Sequence, residues 1–202
     1  MNKILIVIDA QNDFINGALG NPACEPVVEK IIKIIEKANE EKDTLTVATY
    51  DTHGEDYLDT LEGKLLPVPH CIKGTKGWQL EERIYNALGC PDLVARTGPW
   101  DMSKVALSIE KNTFGYLGAK YGFKRLDTGE DLINEDTTII LVGFDTDICV
   151  ISNALILRAM YPNNKIQVIA DACWGTTKEK HNAALDVMES CQINVINLEE
   201  IE

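Results

Sequence analysis

Three residues of the sequence carry the groups that nucleophilic catalysis by a cysteine requires. Cys149 has a thiol, Asp9 has a carboxylate that can accept the thiol proton, and Lys111 has an ammonium that can stabilise the resulting thiolate. The thiolate is the reactive form of cysteine, and a neighbouring cation or a helix N-terminus lowers the pKa of the thiol. If these side chains meet, we expect a nucleophilic site in which the pKa of Cys149 is lowered.

A second group of residues has the composition of a metal site. Asp51 and His53 are separated by one residue, so both side chains point the same way in an extended segment, and Glu62 and His70 follow in the same stretch. Two imidazoles and two carboxylates suit one divalent ion, with zinc as the first expectation and manganese or iron as alternatives. An acidic loop that is merely solvated is the other interpretation.

Strand and helix patterns alternate along the chain. Continuous apolar runs predict buried strands, and apolar residues at helical spacing predict helices. This alternation implies right-handed crossovers and a doubly wound, mostly parallel α/β sheet with helices on both faces. The predicted strands cover residues 3–8, 44–49, 104–109, 137–142, 165–170 and 193–196, and the predicted helices cover residues 27–42, 78–88, 148–160 and 177–190.

The candidate residues lie where predicted strands end. Asp9, Asp51, Lys111 and Cys149 each lie at, or a few residues beyond, the carboxyl end of a strand. These ends share one edge of a parallel sheet, and sites of α/β proteins form there. The segment 50–77 is long, rich in Gly and Pro, and without periodicity, and loops of that length are usually functional. Spacing alone leaves open the alternative that the cysteine only fills the core.

Composition limits the class of protein. A chain of 202 residues fits one domain spanning residues 1–202. The formal net charge of -13 argues against nucleic-acid and anionic-membrane partners, because both need a basic surface. No apolar run reaches the roughly 20 residues of a membrane helix, and the N-terminus does not resemble a signal peptide, so we expect a cytoplasmic protein. The six cysteines form no C-x-x-C pair and are expected to be free thiols.

Five short motifs occur in order along the chain. DAQNDF at 9–14 resembles a D-x-Q-x-D-F opening, KNTF at 111–114 is similar to a lysine segment, and GFDTDICV at 143–150 resembles a G-x-x-T-D-x-C-V nucleophile motif. DAC at 171–173 and HNAAL at 181–185 resemble two further motifs of the same set. Taken together and in this order, the motifs resemble the isochorismatase-like superfamily of cysteine hydrolases, and they extend over nearly the whole sequence.

The resemblance implies a role for each catalytic candidate. Cys149 attacks a carbonyl carbon and forms a thioester, Asp9 accepts the thiol proton and later activates water, and Lys111 stabilises the thiolate and orients the carboxylate. The backbone N–H groups of Asp145 and Cys149 would form the oxyanion hole, after a cis peptide bond between Phe144 and Asp145. An acidic residue at position 145 departs from the family, in which this position is commonly small and apolar.

Within the superfamily, the motifs resemble nicotinamidases most closely. HCIKGTKG at 70–77 is similar to the segment in which nicotinamidases carry a histidine before a Gly-Thr-x-Gly turn. Their D-x-H motif resembles DTH at 51–53. The resemblance implies that the divalent metal receives the pyridine nitrogen of nicotinamide. The ligands that it implies are Asp51, His53, Glu62 and His70.

We therefore predict a nicotinamidase, which converts nicotinamide and water to nicotinate and ammonia. Phe14 resembles the aromatic residue that packs on the substrate ring, and Leu66 and Phe144 are further candidate substrate contacts. His181 is interpreted as structural, and the resemblance implies a homo-oligomer. The alternatives are a related hydrolase of another small amide and a catalytically silent small-molecule binder. A dinucleotide-binding fold is disfavoured, because no G-x-G-x-x-G follows the first strand.

Overall fold

One parallel sheet runs through the fold. Its strands are β1 (Lys3–Ile8), β2 (Thr44–Asp51), β3 (Leu107–Lys111), β4 (Thr138–Phe144), β5 (Ile166–Trp174) and β6 (Asn194–Ile196). The computed structural model describes residues 2–89, 107–116 and 132–201, and every pairing between these strands is parallel. The order is β3-β2-β1-β4-β5-β6. The chain therefore starts at the centre, builds one half of the sheet, and then returns to build the other.

Helices cover both faces of this sheet. The α-helices are α1 (Asn12–Ile15), α2 (Glu25–Glu40), α3 (Leu61–Leu65), α4 (Glu82–Ala87), α5 (Ile151–Met160) and α6 (Lys178–Ser190). Apolar residues of α2, such as Val28, Ile31 and Ile35, have no exposed surface and belong to one core cluster, whereas Leu157 of α5 and Met188 of α6 belong to another. Among the residues described, no helix is long and apolar enough to cross a membrane.

The two clusters lie on opposite sides of β1. Leu5 and Val7 belong to the cluster with α2, and Ile4, Ile6 and Ile8 belong to the cluster with α5 and α6. Successive side chains of a strand point to opposite faces, so β1 is buried on both sides. The prediction of a doubly wound α/β fold with helices on both faces is confirmed. That one domain spans residues 1–202 stays a prediction.

The predicted helix at 78–88 is too long. The observed helix begins at Glu82, because the carboxylate of Glu81 caps it by accepting hydrogen bonds from the N–H groups of Arg83 (2.9 Å) and Ile84 (3.1 Å). The preceding residues are not helical: Trp78 and Gln79 lie in a turn and a bend, and Leu80 forms an isolated antiparallel bridge with Gln11. The side-chain amide of Gln11 also donates to the carbonyl oxygen of Trp78 at 2.7 Å. A sequence pattern cannot show such a long-range contact, which here overrides helical spacing.

The segment 50–77 contains more regular structure than its sequence predicts. A short 3-10 helix spans Tyr57–Asp59 and α3 follows it directly. Thr60 begins α3, because its hydroxyl accepts a hydrogen bond from the N–H of Gly63 at 3.0 Å. The prediction of a stretch without periodic structure is therefore wrong for residues 57–65. These short helices bring Glu62 toward the sheet edge. The predicted strand 104–109 lies partly outside the described residues, and β3 begins at Leu107.

Gly143 allows β4 to approach β1 closely near the carboxyl edge. Its φ is 122°, a conformation that residues with a Cβ rarely adopt. A Cβ atom at this position would overlap the carbonyl oxygen of Ile8. The register between β4 and β5 also shifts between Leu141 and Gly143. Glycine is thus required where the chain turns from β4 toward Asp145.

We predict that Gly143→Ala destabilises the protein by roughly 3 kcal/mol or more, because it adds a backbone overlap to an unfavourable φ. Gly74→Ala is the matched control: Gly74 also has a positive φ of 85°, but a Cβ atom added there would meet nothing within 4 Å. The control should lose about 1 kcal/mol. Urea denaturation measures both free energies of unfolding, and equal losses would contradict the packing explanation.

Candidate active site

The carboxyl ends of four neighbouring strands bring the predicted catalytic residues together. The ammonium nitrogen Nζ of Lys111 lies 2.6 Å from Oδ2 of Asp9, 3.5 Å from Sγ of Cys149 and 3.7 Å from Oδ1 of Asp51. All four residues are buried. Lys111 and Asp51 are also register partners at the ends of β3 and β2. The strand-end spacing in the sequence therefore corresponds to contact in space.

Hydrogen bonds from β2 hold Asp9 in position. The hydroxyl of Thr49 donates to Oδ1 of Asp9 at 2.6 Å, and the N–H of Asp9 donates to the same hydroxyl oxygen at 3.1 Å. Asp9 has a φ of 47°, in the left-handed region that aspartate tolerates better than most residues. One carboxylate oxygen thus faces Thr49 while the other faces Lys111. Sequence reasoning missed Thr49, which lies two residues before Asp51 in the same strand.

The side chain of Gln11 links the end of β1 to the end of β2 by hydrogen bonds. Its side-chain oxygen accepts a hydrogen bond from the N–H of Asp51 at 2.7 Å, and its side-chain nitrogen donates to the carbonyl oxygens of Asp51 at 2.8 Å and of Trp78 at 2.7 Å. The residue is fully buried. Gln11 belongs to the D-x-Q motif, so the sequence motif includes this residue. The motif does not reveal the hydrogen bonds by which Gln11 positions Asp51.

Asp13 connects the same motif to the segment that carries His70. Its Oδ2 accepts a hydrogen bond from the N–H of Cys71 at 2.7 Å, and its Oδ1 accepts one from the N–H of Ala18 at 3.0 Å. A side chain at Gly77 would overlap this carboxylate. The glycine in the 70–77 motif therefore leaves room for Asp13, a reason that the sequence alone does not reveal.

The four predicted metal ligands lie together beside Asp9, Lys111 and Cys149. Oδ2 of Asp51 lies 3.0 Å from Nε2 of His53 and 3.5 Å from Nε2 of His70. Possible ligand atoms of these three buried residues all lie within 4.8 Å of one another. Oε1 of Glu62 is 3.8 Å from Nε2 of both histidines, and its side chain is 25% exposed. Glu62 therefore approaches the cluster from its more open side.

The surroundings of the histidines favour positive charge between them. Nδ1 of His70 lies 2.9 Å from the carbonyl oxygen of Val68, so it donates there and leaves Nε2 facing the carboxylates. Burial lowers the pKa of His70, but hydrogen bonds to Asp51 and Val68 raise it more, and the net shift is upward. In Asp51, burial raises the pKa, but the histidines and Lys111 hold it well below its usual range. Such a donor set fits a divalent cation.

Cys149 lies in a π-helical turn, Thr146–Val150, that leads into α5. The peptide bond between Phe144 and Asp145 is cis, as the resemblance implies. The carbonyl oxygen of Cys149 accepts a hydrogen bond from the Asn153 side chain at 2.8 Å. The nucleophile candidate therefore sits near a helix start, as predicted, with its backbone held by the following helix.

His181 has a structural environment, in line with its interpretation from the sequence. Its Nδ1 lies 2.8 Å from the hydroxyl oxygen of Thr146, and its ring stacks on Trp174 with centroids 5.4 Å apart. Burial lowers its pKa, which favours the neutral imidazole. His181 thus packs behind the turn that carries Cys149.

The expected lowering of the Cys149 pKa is wrong for this site. Burial and the charge of Asp9 raise the pKa of the thiol well above its usual value, although Lys111 lowers it. Burial likewise raises the pKa of Asp9, against the effects of Lys111 and Thr49. For Lys111, burial lowers the pKa, but Asp9 and Cys149 raise it more. These shifts favour the neutral thiol of Cys149 and the charged ammonium of Lys111, which lies 2.6 Å from Oδ2 of Asp9.

The predicted substrate contacts differ in exposure. The ring of Phe14 lies 5.8 Å from that of His70, in an edge-to-face arrangement, so it borders the metal candidates. Leu66 is 37% exposed, and its carbonyl oxygen accepts a hydrogen bond from the Tyr57 hydroxyl at 2.9 Å. Phe144 has no exposed surface and belongs to the core cluster with α2. Contact of these residues with a substrate stays a prediction.

Comparison with known proteins identifies the family. The isochorismatase domain family matches residues 3–102 and 120–200, and the chain belongs to this family of hydrolases. No curated protein sequence matches the chain.

Solved structures with the same fold include amide hydrolases. A nicotinamidase from Bacillus subtilis is 26% identical, with a TM-score of 0.71 over 98% of this chain and 100% of that chain. A pyrazinamidase of Pyrococcus horikoshii in complex with zinc is 23% identical, with a TM-score of 0.69 over 98% and 99% of the two chains. An N-carbamoylsarcosine amidase from Thermoplasma acidophilum is 23% identical, with a TM-score of 0.69 over 100% and 99%.

We predict that Asp9→Asn accelerates alkylation of Cys149 by iodoacetamide. The substitution removes the charge that raises the pKa of the thiol and leaves Lys111 to stabilise the thiolate, so the pH profile of labelling should shift to lower pH. The rate at neutral pH should rise about tenfold for each unit by which the pKa falls. Mass mapping of Cys149 at several pH values measures this rate.

Asp136→Asn, at an exposed residue, controls for the change in net charge and should leave the labelling profile unchanged. Slower labelling of Cys149 in Asp9→Asn would contradict the electrostatic account.

Proposed function

We propose that this protein is a metal-assisted cysteine amidohydrolase, and that nicotinamide is its substrate. The observation that carries the proposal is that Asp51 belongs to both clusters. Its Oδ1 lies 3.7 Å from Nζ of Lys111, and its Oδ2 lies 3.0 Å from Nε2 of His53. A nucleophile cluster and a metal-type donor cluster are thereby adjacent. We expect one small planar amide to reach both clusters. The likeness to the Bacillus subtilis nicotinamidase supports this choice.

Acylation begins with attack of the Cys149 sulfur on the carboxamide carbon. Asp9 accepts the thiol proton as the S–C bond forms, and the proton then passes to the departing nitrogen, which leaves as ammonia. Lys111 keeps its own proton and stabilises the negative charge that moves between sulfur and carboxylate. The raised pKa of the resting thiol fits this sequence, because the proton is transferred during attack instead of being lost beforehand.

Deacylation uses the same groups in reverse. Water attacks the thioester carbon, Asp9 accepts a proton from that water, and the C–S bond breaks to release the acid and to return a proton to sulfur. In both steps we assign the negative charge on the carbonyl oxygen to the backbone N–H groups of Asp145 and Cys149.

The donor set fits one divalent cation held by Asp51, His53, His70 and Glu62. Zinc is the first choice, supported by the zinc complex of the Pyrococcus horikoshii pyrazinamidase and by the two imidazoles. When bound, the ion supplies an electrophilic position that orients a ring nitrogen. Phe14, whose ring lies beside His70, then covers one face of that ring. The homo-oligomer and the cytoplasmic location stay predictions.

A second candidate is a hydrolase of another small amide. Asp145 favours it, because a carboxylate stands where relatives commonly have a small apolar residue. A catalytically silent binder is a third possibility, and the buried Asp9–Lys111 pair next to a thiol argues against it. Ammonia release from a panel of small amides separates all three possibilities.

We predict that removal of the metal abolishes most nicotinamide hydrolysis but leaves alkylation of Cys149. The ion would orient the substrate, whereas the thiol is contacted by Lys111 at 3.5 Å, which is not one of the metal candidates. His53→Ala should reproduce the effect of chelation and should lower the bound metal below the content of the unaltered protein. Elemental analysis, ammonia release and mass mapping provide the three readouts.

Glu55→Gln is the matched control, because Glu55 is an exposed acidic residue of the same segment, and it should retain both metal and activity. Full turnover without metal, or no nicotinamide turnover with metal, would shift the assignment to another small amide.

A further inference from the structure

A buried amide connects the two segments that supply Lys111 and Cys149. Asn153 lies in the first turn of α5, four residues after Cys149, and it is 5% exposed. Its Nδ2 donates hydrogen bonds to the carbonyl oxygens of Cys149 at 2.8 Å and of Phe114 at 3.2 Å. Its Oδ1 accepts a hydrogen bond from the N–H of Tyr116 at 2.9 Å. One side chain thus holds both the backbone of the nucleophile turn and the backbone that follows β3.

The three contacts require an amide in one orientation. Nδ2 carries two hydrogens and meets two carbonyl oxygens, while Oδ1 meets a backbone N–H, so both donors and the acceptor of Asn153 are used. A reversed amide would place its oxygen against two carbonyl oxygens. A leucine of similar shape could make none of these bonds. The asparagine is therefore specific to this bridge and does not merely fill space.

Close packing of the segment after β3 against α5 accompanies these bonds. A Cβ atom on Gly115 would overlap the side chain of Ile156 in α5, and Tyr116 packs against the core cluster with α5 and α6. Within the part of the chain that the structure describes, the hydrogen bonds that join residues 112–116 to another element are the two made by Asn153. The polar attachment of this segment to α5 therefore depends on Asn153.

The sheet by itself couples Lys111 and Cys149 only indirectly. Lys111 ends β3 and Cys149 follows β4, and the order β3-β2-β1-β4 places two strands between them. A lysine side chain is a flexible four-carbon stem, so the ammonium can reach a given point from more than one backbone position. Asn153 links the two segments directly, through Phe114 three residues beyond the lysine and through Cys149 itself.

We propose that Asn153 is a positioning residue that holds the chain beyond Lys111 against the turn of Cys149, and so keeps the ammonium 3.5 Å from the sulfur. Asn153 acts through Lys111 and not on the reacting atoms. An ammonium at this distance stabilises negative charge on sulfur, and the stabilisation weakens as the two groups move apart. For turnover the inference rests on the proposed function, whereas for the reactivity of the thiol it does not.

Asn153→Leu tests the inference, because it keeps a branched side chain of similar shape and removes its hydrogen bonds. Labelling of Cys149 by iodoacetamide at neutral pH should slow by roughly three- to tenfold, the effect of about 1 Å of added separation between two unit charges. The partly exposed Cys191 is the reference in the same sample, and its rate should stay constant. An unchanged rate at Cys149 would overturn the inference.

Asn164→Leu is the matched control. Asn164 is also buried, and its Nδ2 donates to the carbonyl oxygens of Asn134 at 2.6 Å and Thr137 at 2.9 Å. It precedes β5, so it lies at the edge of the sheet opposite the site. Urea denaturation should show lower stability in both variants, but the control should label at Cys149 as fast as the unaltered protein. Equal slowing in the control would mean that lost stability alone explains the effect, against the inference.

A double-mutant cycle with Lys111→Met asks whether Asn153 acts through the ammonium. Lys111→Met removes the charge that stabilises the thiolate, so it should slow the labelling of Cys149. Adding Asn153→Leu to this variant should then slow the labelling no further, because no ammonium is left to position. The same factor of slowing with and without Lys111 would assign the effect to the turn itself and would contradict the proposal.

Asn153→Thr is a milder variant that separates the two parts of the bridge. A threonine hydroxyl in a helix can donate to the carbonyl oxygen four residues earlier, which here belongs to Cys149. The hydroxyl is too short to bond to Phe114 and Tyr116 as well, so labelling of Cys149 should slow as in Asn153→Leu. Labelling at the rate of the unaltered protein would show that the bond within the helix suffices, and the bridge would be rejected.

Turnover of nicotinamide extends the test to catalysis. Asn153→Leu should lower kcat severalfold and leave KM nearly unchanged, because Lys111 acts on the sulfur and not on the ring of the substrate. Asn164→Leu should alter neither constant. A raised KM with an unchanged kcat would overturn this part of the inference. If the unaltered protein does not hydrolyse nicotinamide, the proposed function fails, but the labelling of Cys149 still decides whether Asn153 positions Lys111.

Discussion

The ammonium of Lys111 lies in the interior, with 1% of its side chain exposed, 2.6 Å from a carboxylate of Asp9 that has no exposed surface. An unpaired buried charge costs several kcal/mol, so each member of such a pair holds the other in place. Asp9 directly follows β1 and Lys111 ends β3, and β2 lies between these two strands. The pair therefore fixes the relative positions of three strand ends, and the thiol of Cys149 from the fourth strand completes its surroundings.

Asp51 extends this arrangement to the metal candidates. One of its oxygens faces Lys111, and the other faces both histidines, while its backbone is held by Gln11. The distance between the nucleophile and the donor cluster is thus set by a single side chain on a strand. In the proposed reaction this distance determines where the carboxamide lies once the ring is bound.

The strand-end residues were predictable because parallel strands of one sheet bring their carboxyl ends to a common edge. Thr49 and the positioning role of Gln11 were not, since hydrogen bonds between strands depend on a register that spacing does not determine. The pKa of Cys149 was predicted with the wrong sign, because sequence shows the helix start and the lysine but not the depth of burial. The helix predicted at 78–88 was too long for a related reason: contacts with the distant Gln11 hold its first residues in a turn and an isolated bridge.

The central claim is that Cys149 carries the acyl group of the substrate as a thioester. Rapid acid quench during nicotinamide turnover, followed by mass mapping of all cysteine-containing peptides, measures this directly. The account predicts a nicotinoyl adduct on Cys149 that forms and decays with turnover and is absent in Cys149→Ala. Turnover without any adduct in the quenched protein, or an adduct on another residue with undiminished activity of Cys149→Ala, would contradict it.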